Sequence, residues 1–120
     1  MGLDLYIEKV SRKELAYFRK VNFLIPFFES FFNIEINNLE DLKLTKESVE
    51  ELRDRCEQVL KDHTLANNLL PTQKGFFFGS TDYDKYYYDD VEDVLVNCNT
   101  LLQEFDELAG NESIIFKIWY

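Results

Sequence analysis

Leu3-Asp4-Leu5-Tyr6-Ile7-Glu8-Lys9-Val10 and Ser113-Ile114-Ile115-Phe116-Lys117-Ile118-Trp119-Tyr120 stand at opposite ends of a 120-residue chain. In the first stretch Leu3, Leu5 and Ile7 alternate with Asp4, Tyr6 and Glu8, the period-two pattern of a strand with one buried face. The second stretch reads as another strand. The two are expected to pair and join the termini in one small sheet. The fold class is therefore α+β: a single domain over residues 1–120, with three main helices packed on that sheet.

Working inward, Ser11 offers an N-cap and Glu14 completes a capping box, which predicts a helix from there through about Phe32. Its apolar residues lie on several sides, as in a well-covered central helix, and Pro26 should kink it or end its first half. Residues 33–44 read as irregular, with a short strand around Asp41–Leu44. Thr45 caps a second helix reaching about Asp62, with Glu47, Glu50 and Glu51 favourable in its first turns. Pro71–Ser80 reads as a loop holding a short extended Phe76–Phe78. A third helix runs from about Asp84 to Leu108 and stops at Gly110. Its apolar stripe is Val91, Val94, Leu95, Cys98, Leu101, Leu102 and Phe105.

The net charge of −10 is unevenly spread. Residues 81–112 carry one base, Lys85, against ten acids. Such a balance speaks against bare nucleic acid as a partner, because phosphate binding needs Lys and Arg. It favours encounter with basic partners. The two cysteines form no disulfide framework. No signal peptide is legible in Met1–Lys9, and the longest apolar run, Val21–Phe28, is too short to span a bilayer. The expected compartment is the cytoplasm, with no membrane association.

Few residues call for catalysis. Cys56 and Cys98 fall on apolar helical stripes and read as core. His63, the only histidine, sits at a helix end, where it suits the dipole. It builds no nucleophilic triad and, with two distant cysteines, no zinc site. Asp82-x-Asp84 resembles the start of a calcium loop, but Tyr87 and Asp93 replace the required Gly and Glu. A looser divalent site at Asp82, Asp84, Asp89 and Asp90 is the remaining metal reading. Gly75-Phe76-Phe77-Phe78-Gly79 is no phosphate loop. Its phenyl rings read as a core plug. The expectation is a protein without enzymatic activity, cofactor or metal.

Two clusters read as binding surfaces. The first is the aromatic-acidic run from Asp82 to Asp93. There Asp82, Asp84, Asp89, Asp90, Glu92 and Asp93 would imitate a row of phosphates, one helical turn being roughly 5–6 Å. Tyr83, Tyr86 and Tyr87 would be anchors, since Tyr freezes few rotors. The plainer reading is a solvated acidic face. The second cluster, Arg19, Lys20 and Asn22, would recognise a small anionic ligand such as a nucleotide. Its plainer reading is internal pairing with the acidic third helix.

Met1-Gly2-Leu3-Asp4-Leu5-Tyr6, Tyr17-Phe18-Arg19-Lys20-Val21-Asn22 and Leu70-Pro71-Thr72-Gln73-x-Gly75-Phe76-Phe77-Phe78-Gly79-Ser80-Thr81-x-Tyr83-Asp84 resemble a family of small bacteriophage and prophage proteins. Members open Met-Gly-Leu-Asp-Met-Tyr and share the Pro-Thr-Gln-x-Gly-Phe-Phe-Phe-Gly run. They tend to carry His and Trp just after the Arg-Lys-x-Asn segment, where Ile25 and Phe27 stand here, which argues further against an enzyme. The resemblance implies a phage counter-defence role of the anti-CRISPR type. The expected partner is a bacterial nucleic-acid-handling protein with a basic groove, such as a CRISPR nuclease in the host cytoplasm. The alternative is a protein that sequesters a small nucleotide through Arg19, Lys20 and Asn22.

Overall fold

The structure, a computed structural model, describes residues 2–9, 13–75 and 78–120. Strand β1 (Asp4–Lys9) pairs antiparallel with β4 (Ile114–Trp119), so the two terminal strands are neighbours as expected. On the outer side of β1 lies β2 (Lys13–Arg19), and beyond β4 lies the two-residue β3 (Leu42–Lys43), giving the sheet order β2-β1-β4-β3. Register sorts the side chains by face. Leu5 stands between Phe18 and Ile118, and Ile7 between Ala16 and Phe116, all buried. One residue along, Tyr6 stands between Tyr17 and Lys117 on the opposite face. That face is held by side-chain pairs: the Tyr6 and Tyr17 rings lie 5.3 Å apart, and the Tyr17 hydroxyl donates to Asp4 at 2.7 Å.

The expected helix from Ser11 to Phe32 is corrected. Ser11, and with it the capping box, lies outside the described residues, and Glu14 belongs to β2. Among the described residues of that stretch, only Leu24–Phe32 is helical (α1). In the stretch from Leu15 to Phe18, Ala16 and Phe18 point to the core while Tyr17 is exposed, the period of a strand. A register shift opposite Ile7 and Glu8 leaves Leu15 as an extra residue, which hides the alternation in the sequence. Lys20, with φ of 57°, then turns the chain. Pro26 kinks nothing. It is the third residue of α1, in the first turn, where its missing N–H has no intrahelical partner to lose.

Helix α2 (Lys46–Lys61) begins at Thr45, whose hydroxyl accepts from the Ser48 N–H while Ser48 Oγ accepts from the Thr45 N–H. A 3-10 turn (His63–Leu65) and a one-turn helix α3 (Ala66–Leu69) follow. The long α4 (Lys85–Asp106) starts at its cap Asp84 and packs along α2. Cys56 and Cys98 meet the core from these two helices as free, buried thiols, and burial pushes both upward, Cys98 to about 12. The helices cover one face of the sheet around an aromatic centre in which the Phe28 ring lies 4.8 Å from Phe116 and 5.1 Å from Phe27. Among the described residues no helix is long and apolar enough to cross a membrane.

Candidate functional site

The acidic-aromatic run divides by role. Tyr87 is 5% exposed; its hydroxyl donates to the Leu70 carbonyl at 2.8 Å and its ring abuts Phe23. It is a core residue, not the surface anchor read from the sequence. Tyr83 is half-buried: its hydroxyl donates to Asn67 Oδ1 at 2.9 Å and accepts from the Thr72 N–H at 3.2 Å. Tyr88 stacks on His63 at 3.7 Å. These three rings strap residues 63–72 to the start of α4. Only Tyr86, at 75% exposure, is open to solvent.

The acids divide likewise. Asp84 Oδ1 accepts from the Tyr87 N–H at 3.2 Å, so it caps α4. Asp89 pairs with Lys85 at 2.8 Å. Asp89, Glu92 and Asp93, with the exposed Val96, border a shallow depression on the outer side of α4. Asp90 lies on the other side, half-buried, with its carboxyl pushed up to about 6 by burial and then by Asp93, Asp89 and Asp84. Among the described residues no group of three His, Cys, Asp or Glu side chains is arranged to hold a metal ion, so the Asp82, Asp84, Asp89 and Asp90 set does not converge on one.

The fold brings the two sequence clusters together. A half-open cavity of about 240 Å³ lies between the end of β2, Thr72, residues 79–84 and the first turns of α4. Arg19, Lys20 and Asn22 line it together with Asp82, Tyr86 and Asp90. The plainer reading of Arg19 and Lys20, internal ion pairing with α4, is not met: among the described residues neither forms an ion pair within 4 Å. Asp90 likewise has no ion pair or hydrogen bond among them.

Asn22 serves the cavity differently from the ligand role read from the sequence. It is 3% exposed, and its Nδ2 donates to the carbonyls of Phe78 at 2.9 Å and Ser80 at 3.0 Å. The side chain thus pins the loop to the β2–α1 junction, while its Oδ1 accepts from no described residue. The loop closes against β2 at Gly79, whose φ of +83° suits glycine. A Cβ built there would stand 3.3 Å from Lys20 Cβ and Cδ. Phe78 is buried with its ring 5.2 Å from Tyr120, which agrees with the core-plug reading; Phe76 and Phe77 lie outside the described residues.

Sequence reading missed two things. Asp90 and the basic triplet belong to one site, and Thr72 and Ser80 on the loop complete its rim. The usable signal was the Arg-Lys-x-Asn segment, whose Asn is the kind of residue that fixes loop carbonyls.

No family model, no curated protein and no solved structure matches this chain.

Proposed function

We propose that this is a small-ligand-binding protein, without catalytic function, that holds an anionic ligand of the nucleotide class in the cavity between β2, residues 79–84 and α4. One observation carries the reading: the cavity is lined by charged groups, Arg19, Lys20 and Asp90, that have no ion pair among the described residues. Cations gathered with polar groups at a concave site favour a ligand of opposite charge. At about 240 Å³ the cavity is near the low end, roughly 300 Å³, of small-molecule sites, which fits a mononucleotide that partly protrudes. Arg19 and Lys20 supply the cations for a phosphate, and Tyr86 supplies an exposed ring for stacking. The test is a thermal-shift panel of mononucleotides on the full chain and on Arg19→Ala/Lys20→Ala. Ligand at a hundredfold excess over Kd stabilises by about 2.7 kcal/mol, a rise of several degrees. No rise with any nucleotide refutes the reading.

A second reading rests on the outer side of α4, where Glu92, Asp93 and Val96 are exposed. There the protein would occupy the basic nucleic-acid groove of a bacterial partner protein, as the resemblance to phage and prophage proteins implies for an anti-CRISPR-type inhibitor. Replacing Asp89, Glu92 and Asp93 by Asn or Gln should then weaken capture of that partner and flatten its salt dependence. Capture with unchanged affinity and salt slope would rule this role out for α4.

A further inference from the structure

Resting on the cavity reading, we infer that the anionic group of the ligand is a phosphate monoester held jointly by Arg19 and Lys20, with Gly2 as a positioning residue for this cation pair. Lys20 is held along its length. Its φ of 57° lies in the left-handed region, which a lysine seldom adopts, and its backbone N–H donates to the Leu3 carbonyl at 2.8 Å. The stem then runs past two glycines. A Cβ built on Gly79 would stand 3.3 Å from Lys20 Cβ and Cδ and 3.7 Å from Cγ, and one built on Gly2 would stand 3.3 Å from Lys20 Cε. The same point beside Gly2 lies 3.8 Å from Arg19 Nη2 and 3.9 Å from Arg19 Nε. The guanidinium and the end of the lysine stem therefore meet over one residue. Gly79 suits glycine through its φ of +83°, whereas Gly2 lies outside the left-handed region. What glycine leaves at position 2 is room beside two cations.

Two like charges gathered at one place repel, and an anion that accepts from both relieves the repulsion. Among the described residues no carboxylate lies within 4 Å of either cation, although the chain has 23 acids to 13 bases. The charge of the ligand group follows from the charge of the pair. A carboxylate or a phosphodiester brings a single negative charge. A phosphate monoester brings about −1.5 to −2 at pH 7, and its terminal oxygens serve the guanidinium fork and the ammonium together. Arg19 and Lys20 also line the cavity, so a phosphate between them leaves the rest of the ligand to enter it.

Calorimetric titration of the full chain with each common nucleoside 5′-monophosphate, and with the matching 3′,5′-cyclic monophosphate, tests this. The cyclic form is a diester of the same base and sugar. A hydrogen bond to a charged group is worth about tenfold or more in affinity, so a preference of that size for the monoester is expected. Lys20→Met keeps the stem and removes the charge; it should abolish the preference while the cyclic form still binds. Gly2→Val fills the space beside the cations. It should weaken the monoester several-fold, leave the cyclic form nearly unchanged and melt with the parent protein, since the end of Lys20 can swing aside. If Gly2→Val melts lower than the parent protein, Gly2→Ala takes its place with the same readout. Equal binding of the two forms by the parent protein, or a preference that survives Lys20→Met, overturns the phosphate assignment and leaves the cavity reading standing. Monoester affinity unchanged by the Gly2 substitution overturns the positioning role of Gly2. Absence of binding by every nucleotide, cyclic or not, overturns both the inference and the cavity reading.

Discussion

Asp90 is the residue where the environment most alters chemistry. Its carboxyl is half-buried beside Asp84, Asp89 and Asp93 on α4 and at its cap. Arg19 and Lys20 from β2, and Asp82 from the preceding segment, line the same cavity. Burial and the neighbouring carboxylates push its pKa up to about 6, above the ordinary carboxylate value of 3.8. The folded protein therefore binds more protons than the unfolded chain between those values, and stability falls as pH rises through that window. D90N should melt higher than the parent protein at pH 7 and at the same temperature near pH 4. A melting point lowered by D90N at pH 7 would show that the charged carboxylate is stabilised in place. Asn22 acts through its two hydrogen bonds to loop carbonyls. Asn22→Ala should cost about 1–3 kcal/mol in urea unfolding, the penalty for orphaned buried acceptors, and weaken any cavity ligand as the loop loosens.

At the scale of elements, α4 does two jobs. Its first turns are fixed by Asp84 at the cap, by Tyr83 and by Tyr87, and these fix Asp90 and Tyr86 at the cavity. Asp84→Ala should lower stability by about 1 kcal/mol, as removal of an N-cap does. Gly79 lets the loop lie against β2. Gly79→Ala should destabilise by about 1 kcal/mol or more, because φ of +83° strains an L side chain and the added methyl presses on Lys20. A melting point unchanged within error would mean the loop relaxes away. Helices α2 and α4 were legible in the sequence because Thr45 and Asp84 announce their starts and one apolar face repeats at helical spacing. Strand β2 was not, because its extra Leu15 breaks the alternation and Ser-x-x-Glu at residues 11–14 imitates a helix start. The cavity was only half legible. The Arg19–Asn22 triplet and the acidic run were each visible, but their meeting depends on a sheet edge and residues 79–84, far apart in sequence. Tyr87 misled for a related reason: the spacing that makes a tyrosine an anchor also makes it core.

For the whole molecule, one sheet face carries the core and the aromatic centre holds helices to strands. Phe28 touches both Phe27 and the β4 residue Phe116 and is fully buried. Phe28→Ala should cost about 3–5 kcal/mol, a large share of the stability of a domain this size, and be read as a lower urea midpoint. The charge asymmetry also belongs to this scale. Acids gather on the outer side of α4, while the cations Arg19 and Lys20 face a cavity that is otherwise acidic. The most direct test is an NMR titration of the ¹⁵N-labelled protein with each of the common nucleoside monophosphates. Saturable shifts centred on Arg19, Lys20, Asn22, Ser80 and Asp90 are predicted. No shifts up to millimolar nucleotide, or shifts confined to Glu92, Asp93 and Val96, would contradict the cavity as the binding site.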